Sequence, residues 1–76
     1  MKRTYEEVAE RRAIAFVLRE QGYTLQYIAA QIGYSDHAGI RRLLESHEYE
    51  FKHSKLYQKI LVQTRYKLGT NSVQTS

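Results

Sequence analysis

Three consecutive residues, Ser35, Asp36 and His37, are of the types that form a hydrolytic triad. A triad requires the three side chains to hydrogen-bond in relay, and neighbours at a helix start point in different directions. We therefore expect no catalysis from this run. His37, His47 and His53 lack a cysteine or a close carboxylate at ligand spacing, so we also expect no metal site and no cofactor.

The basic residues offer a different chemistry, which is the binding of phosphates and bases. The net charge is +4, and residues 51–76 carry no acidic residue but five cations, which are Lys52, Lys55, Lys59, Arg65 and Lys67. Such a segment attracts phosphate backbones or anionic lipid, and it equally suits a solvated cationic surface. Arg41 and Arg42 follow the small residues Ala38 and Gly39, and a guanidinium can fork onto guanine or a phosphate.

The chain that must position these residues has 76 residues, no cysteine, no proline and four glycines. This length predicts a single domain, and the scarcity of breakers predicts an all-α fold of helices joined by short turns. The longest apolar run, residues 13–18, is too short to cross a bilayer. With no cysteine to oxidise, these features favour a soluble protein of the cytoplasm.

A first helix is predicted over residues 5–21. Thr4 and Glu7 have the spacing of a capping box, and Gly22 can end the helix in the left-handed conformation. Its apolar stripe consists of Val8, Ile14, Ala15, Val17 and Leu18. The charged residues are expected mostly on the opposite side; they are Glu10, Arg11, Arg12, Arg19 and Glu20.

Two shorter helices are predicted over residues 24–32 and 36–46. Thr24 can cap the first and Gly33 can end it, while Ser35 offers a capping oxygen and Asp36 a negative charge to the second. The apolar positions predicted to pack the pair against the first helix are Leu25, Ile28, Ala29, Ile32, Ile40, Leu43 and Leu44.

The remainder of the chain is less regular. Residues 47–53 fit a helix continuation, an extended arm or a turn, and residues 55–68 are expected to form a fourth, amphipathic helix, although residues 60–62 would also suit a strand. Leu56, Tyr57, Ile60 and Leu61 would either pack across a two-fold axis or complete the monomer's core. The domain is predicted to span residues 1–69 and to be followed by a flexible tail, 70–76. Most of the seven tyrosines are expected to be half-buried.

With Ile40, Leu43 and Leu44 facing the core, a rotation of about 100° per residue turns the other side of the third helix away from it. The residues predicted to contact DNA are Ser35, His37, Ala38, Gly39, Arg41 and Arg42, with Lys52 and Lys55 on phosphates beside the groove. A packing role alone is the alternative, with Arg41 paired to Glu45 at the i,i+4 spacing.

The run from Ile28 to Leu44 resembles a helix-turn-helix of the AraC family of bacterial transcription regulators. The matching residues are Ile28, Ala29, Gly33, Tyr34, Ser35, Asp36, Ile40 and Arg42. The resemblance implies a helix-turn-helix fold and contact with DNA. The family carries two such units where this chain has one, and Ile40 and Leu44 stand where aromatics are usual, so a stand-alone regulator of phage, plasmid or mobile-element type fits better.

The sequence therefore predicts an all-α protein with a three-helix helix-turn-helix core that binds double-stranded DNA by placing the third helix in the major groove. A homodimer would compensate for the small contact area of one module, and no small-molecule ligand is indicated. Two other functions remain open: an excisionase-like recombination factor, and a module that binds a protein or an anionic membrane through the basic C-terminal segment.

Overall fold

The computed structural model describes residues 4–68, and within this range the chain forms five helices and no strand. They are α1 (Tyr5–Glu20), α2 (Leu25–Ile32), α3 (His37–Glu45), α4 (His47–His53) and α5 (Lys55–Leu68). The all-α prediction is confirmed. Residues 47–53, for which the sequence allowed a helix, an arm or a turn, form the short helix α4. The predicted tail, residues 70–76, lies outside the described residues. None of the helices in residues 4–68 has the length and apolarity to cross a membrane.

The first two helices begin and end as the capping residues predict. The Glu7 amide donates to Thr4 Oγ1 over 3.1 Å, and the Glu7 carboxylate accepts from the Thr4 amide in return, which completes the capping box. Gly22 follows α1 with a φ of +96°, and the Thr24 hydroxyl accepts from the Tyr27 amide at the start of α2.

The cap of α3 differs from the prediction. Asp36, rather than Ser35, is the N-cap residue, because its carboxylate accepts from the Gly39 amide over 3.3 Å. An Asp cap places a negative charge at the positive end of the helix dipole as well as satisfying an amide. The predicted helices 5–21, 24–32 and 36–46 also extend one residue beyond the observed α1, α2 and α3 at one or both ends, because their capping residues were counted as helical.

Helix α1 lies at the centre of the fold and is covered on two sides. One side packs on α2 and α3 in a cluster of Ala15, Leu18, Ile28, Ala29, Ile32, Ile40 and Leu43. The other side packs on α5 in a second cluster of Ala9, Ala13, Val17, Tyr57, Ile60 and Leu61. The small residues Ala9 and Ala13 allow α5 to approach α1 closely. Tyr57, Ile60 and Leu61 therefore complete the monomer's core and are not available for a two-fold contact.

Arg12 was predicted among the charged residues of α1 that lie mostly on the side away from the apolar stripe, and the structure buries it. Its side chain is only 8% exposed, and its Nε donates to Ser46 Oγ over 2.8 Å. The guanidinium carbon lies 5.7 Å from the centre of the Tyr57 ring, and the buried Nη1 has no hydrogen-bond partner among residues 4–68. Because Ser46 is the residue between α3 and α4, this contact ties the C-terminal end of α3 to α1.

The tyrosines are more exposed than predicted. Five of the seven are exposed in the described chain, and they are Tyr5, Tyr23, Tyr27, Tyr49 and Tyr66. Two of them, Tyr23 and Tyr27, stack on each other with ring centroids 4.5 Å apart. The Tyr5 hydroxyl lies 2.6 Å from the Glu50 carboxylate, so that ring connects α1 to α4 through its polar end instead of by burial.

His47 lies among aromatic rings between α1, α4 and α5. Its imidazole stacks on Phe16 at 3.5 Å between centroids, and the Tyr57 hydroxyl lies 2.6 Å from Nδ1. Burial raises the pKa of Tyr57 well above its ordinary value, so its hydroxyl keeps its proton within hydrogen-bond distance of Nδ1.

Burial lowers the pKa of His47 below the ordinary value of 6.5. The charges that face it act in both directions: Arg65 and Arg12 lower this pKa further, while Glu20 and Glu48 raise it. The folded state thus holds a proton on this ring less readily than the unfolded chain. As the pH falls below 6.5, the unfolded chain takes up the proton first, so the free energy of unfolding decreases until the pH passes below the folded pKa.

We expect His47→Phe to flatten the pH dependence of stability. The phenyl ring keeps the stacking on Phe16 but cannot take up a proton, so the loss of stability between about pH 7 and 5 should shrink relative to the wild type. Urea unfolding at several pH values across this range measures the change in the free energy of unfolding. His37→Gln is the control, because His37 is exposed on α3 and touches none of these rings. Equal slopes in the wild type and His47→Phe would contradict the assignment.

Candidate nucleic-acid interface

The unit formed by α2 and α3 is held together by a short turn and by small and aliphatic residues. Gly33 ends α2 with a φ of +79°, and the Tyr34 amide donates to the Ala29 carbonyl over 2.9 Å. A positive φ favours glycine here because a Cβ would be strained. Ala29 is buried beside Ile40 and Leu43 of α3, so the predicted close packing of the two helices is present.

The side of α3 opposite this packing is open. Ile40 is fully buried and Leu43 nearly so, whereas the side chains of His37, Ala38, Arg41, Arg42 and Glu45 are exposed. Within residues 4–68, neither arginine side chain has a hydrogen bond or an ion pair. Both guanidinium groups can therefore form new contacts without breaking internal ones.

Glu45 is the one acidic residue on this side of α3. The packing alternative expected it to pair with Arg41, but no such ion pair is formed in the described part of the chain. The rotation that exposes Arg41 and Arg42 also exposes Glu45, yet it was not among the predicted contact residues. A carboxylate here repels phosphates and accepts hydrogen bonds from the amino group of cytosine, so it would tune which sequences are accepted.

The run Ser35, Asp36 and His37 is used structurally. Asp36 is engaged as the cap of α3, and Ser35 and His37 are exposed with no hydrogen bond from one to another in residues 4–68. No group of three or more His, Asp or Glu side chains in this range is arranged to hold a metal ion. What Ser35 can offer, at the edge of the open side, is a hydroxyl for a phosphate oxygen.

Gly39 has an internal explanation that the sequence did not suggest. A Cβ at this position would lie 2.5 Å from Cδ2 and 2.8 Å from Cε2 of the Tyr34 ring. The ring of Tyr34 thus packs against the backbone of α3, and it is partly buried against the first core cluster. The predicted role of Gly39 in close approach to DNA is not needed to account for a glycine inside this helix. A large aromatic residue in the turn before a helical glycine is the signal that could have revealed it.

A double-mutant cycle tests this contact. An Ala in place of Gly inside a helix gains about 1 kcal/mol of helix propensity. We expect Gly39→Ala to lower the stability of the wild type, because Tyr34 must move, and to raise stability in a Tyr34→Ala background where the space is free. Urea unfolding gives the four values. If Gly39→Ala stabilises both backgrounds while weakening DNA binding, the glycine serves DNA approach instead.

The two predicted phosphate contacts lie on other helices. Lys52 is on α4, which contacts α3, and its ammonium lies 3.5 Å from the Glu48 carboxylate. Such an exposed pair contributes little and exchanges readily for a phosphate. Lys55 is exposed at the first position of α5, and α5 does not contact α3 in the described chain. The structure therefore places Lys52, but not Lys55, on a helix that contacts α3.

Comparison with known proteins adds no relationship to this geometry. No family model matches the chain, and no curated protein and no solved structure shows significant similarity to it.

Proposed function

We propose that this protein binds double-stranded DNA sequence-specifically by inserting α3 into the major groove. The observation that carries the proposal is the two-sided character of α3. Ile40 and Leu43 hold one side against the core, and the other presents Arg41 and Arg42 with no internal partner among the described residues. A helix that enters the major groove must be packed against the core on one side and present polar residues to the DNA on the other.

The composition of the open side supports entry of α3 into the groove. Ala38 leaves room for close approach of the first turn, and either arginine can form a bidentate contact with guanine O6 and N7. His37 and Ser35, near the start of α3, can bond phosphates and set its register. Lys52 adds a phosphate contact from α4.

A regulatory role in transcription, in the cytoplasm and without catalysis, is the form of this function that we propose. It is supported by the similarity of Gly33, Tyr34, Ser35 and Asp36 to the AraC family's DNA-binding unit. An excisionase-like recombination factor would use the same contacts. The two differ in where the preferred site lies, beside a promoter or beside a recombination site.

A selection of preferred duplexes from a random pool, performed at two salt concentrations, tests DNA binding. Contacts to phosphate weaken steeply with salt and carry no sequence information, whereas base contacts keep their preference. We expect the same short motif at both salt concentrations, with lower affinity at the higher one. A pool that shows no enriched motif at either concentration would reduce the interaction to cationic attraction and would refute base recognition.

A further inference from the structure

Arg12 is a buried charge that neither the core nor the proposed DNA contact accounts for. Within residues 4–68 it forms no ion pair with a carboxylate. A cation that is removed from water without a counter-ion lowers the free energy of unfolding. Nη1 adds to this loss, because it is buried and has no hydrogen-bond partner among the described residues. The hydrogen bond that the guanidinium does form therefore points to its role.

That hydrogen bond lies at the C-terminal end of α3. Nε of Arg12 donates to Ser46 Oγ over 2.8 Å, and Ser46 is the C-cap residue of α3. The Ser46 hydroxyl in turn lies 3.0 Å from the Arg42 carbonyl and 3.1 Å from the Leu43 carbonyl, and it donates to one of them. The positive guanidinium also suits the negative end of the α3 dipole. Two successive hydrogen bonds thus connect α1 to the backbone at the end of α3.

These hydrogen bonds fix the orientation of α3 in a way that apolar packing does not. Ile40 and Leu43 hold α3 against α1 through contacts that have no preferred direction, so they permit small rotations of the helix. A hydrogen bond depends on both distance and angle, and a charged donor strengthens it. The last turn of α3 is therefore held at one rotation, which determines where Arg41 and Arg42 point.

We propose that Arg12 is a positioning residue for DNA binding, which holds the last turn of α3 at the rotation that Arg41 and Arg42 need to contact bases. A bidentate contact with guanine tolerates only small displacements of the helix that carries the arginine. Arg12 itself is buried and does not contact the duplex. The inference rests on the proposed function, because a fixed rotation of α3 is of use only when DNA is bound.

Two substitutions of equal length separate the hydrogen bond from the bulk of the side chain. Glutamine places an amide nitrogen at the same number of bonds from the backbone as Nε, and methionine places a methyl group there. Both remove the positive charge, but only Arg12→Gln keeps a donor for Ser46. Arg11→Met is the matched control, because Arg11 precedes Arg12 on α1 and its guanidinium donates to the Glu7 carbonyl of the same helix.

We expect Arg12→Met to bind the selected duplex on the order of tenfold more weakly than the wild type and to select a less defined motif, since a rotated α3 weakens the base contacts. Arg12→Gln and Arg11→Met should retain most of the affinity. The affinities are compared per folded molecule, with the folded fraction taken from urea unfolding. Arg12→Met should be no less stable than the wild type, because an unpaired buried cation is removed.

Hydrogen exchange of the free protein tests the same contact without DNA. The Ser46 amide donates to the Arg42 carbonyl over 3.1 Å and so reports on the last turn of α3. We expect this amide to exchange faster in Arg12→Met than in Arg12→Gln, through local opening of the helix end. If the wild type selects no DNA motif, base recognition is refuted, whereas the exchange rates still show whether Arg12 fixes the end of α3.

Equal affinities of Arg12→Met and Arg12→Gln, or equal exchange of their Ser46 amides, would overturn the inference, since the donor would then have no effect on α3. A loss of affinity that only matches the loss of folded protein would overturn it too, because Arg12 would then serve the stability of the fold alone. Failure of both variants to fold would lead to the same conclusion.

Discussion

Replacing Arg41 or Arg42 with alanine is expected to lower the affinity for the preferred duplex by about 5- to 150-fold each, which corresponds to roughly 1–3 kcal/mol per lost contact. Both side chains are exposed and have no partner within residues 4–68, so their removal costs no internal contact and the fold should persist. Fluorescence anisotropy with the selected duplex measures the affinity, and circular dichroism checks the fold.

The two arginines need not have the same role, and the pattern of loss separates the possibilities. An arginine that reads guanine loses discrimination at one base pair when it is removed, whereas one that contacts a phosphate weakens all sequences alike and reduces the salt slope by about one unit. Lys67→Ala is the control, because it removes the same charge from α5, which does not contact α3 in the described chain. If Lys67→Ala weakens binding as much as the arginine variants do, the contact is general electrostatic attraction and α3 does not read bases.

Tyr57→Ala is expected to be the most destabilising single substitution on α5, with a loss of about 3–5 kcal/mol typical of a buried aromatic residue. Tyr57 is 0% exposed, packs from α5 against α1, and has its hydroxyl 2.6 Å from His47 Nδ1. A chain of this length has a total stability of only about 4–11 kcal/mol. The variant should therefore be partly unfolded at physiological temperature, and thermal and urea unfolding measure the loss.

Tyr49→Ala provides the matched control for this prediction. Tyr49 is 63% exposed on α4 and contacts the neighbouring His53 ring, so its removal should cost less than about 1 kcal/mol. If the two variants lose equal stability, the packing of α5 on α1 is not the second core of the monomer. Packing of Tyr57 across a two-fold axis, the other alternative that the sequence allowed, would then be favoured.

The local elements of the fold could be predicted because their determinants are close in sequence. Thr4 with Glu7, Thr24 and Gly33 each act within four residues, so the helix ends follow from the residue types alone. The buried apolar residues of α2 and α3 followed from helical spacing in the same way. Predicted and observed bounds of α5 agree at residues 55–68.

Contacts between distant helices could not be predicted from these patterns. Arg12 appeared to belong to the solvent side because the pattern of α1 was read as one apolar stripe. The helix has a second buried side, with Ala9 and Ala13, which only the packing of α5 reveals. Alanine does not by itself mark the buried side of a helix, since its high helix propensity suits exposed helix positions as well. The short helix α4 carries no buried residue and so offered no periodic signal.

The sequence predicted which side of α3 is exposed, but it did not predict the role of Gly39. Rotation from Ile40 and Leu43 placed Arg41 and Arg42 outward, and both are exposed in the structure. Gly39 was assigned to DNA approach because nothing in the helix pattern indicated that the Tyr34 ring folds back onto it. This contact depends on the path of the turn, which residue types alone do not specify.

The most direct measurement of the central claim is an amide NMR titration of the labelled protein with the selected duplex. Entry of α3 into the groove predicts that the largest changes in amide chemical shift fall on the exposed side of that helix, from His37 to Glu45. If the α3 amides keep the chemical shifts of the free protein in the bound complex, while the amides of another helix shift, the account is contradicted.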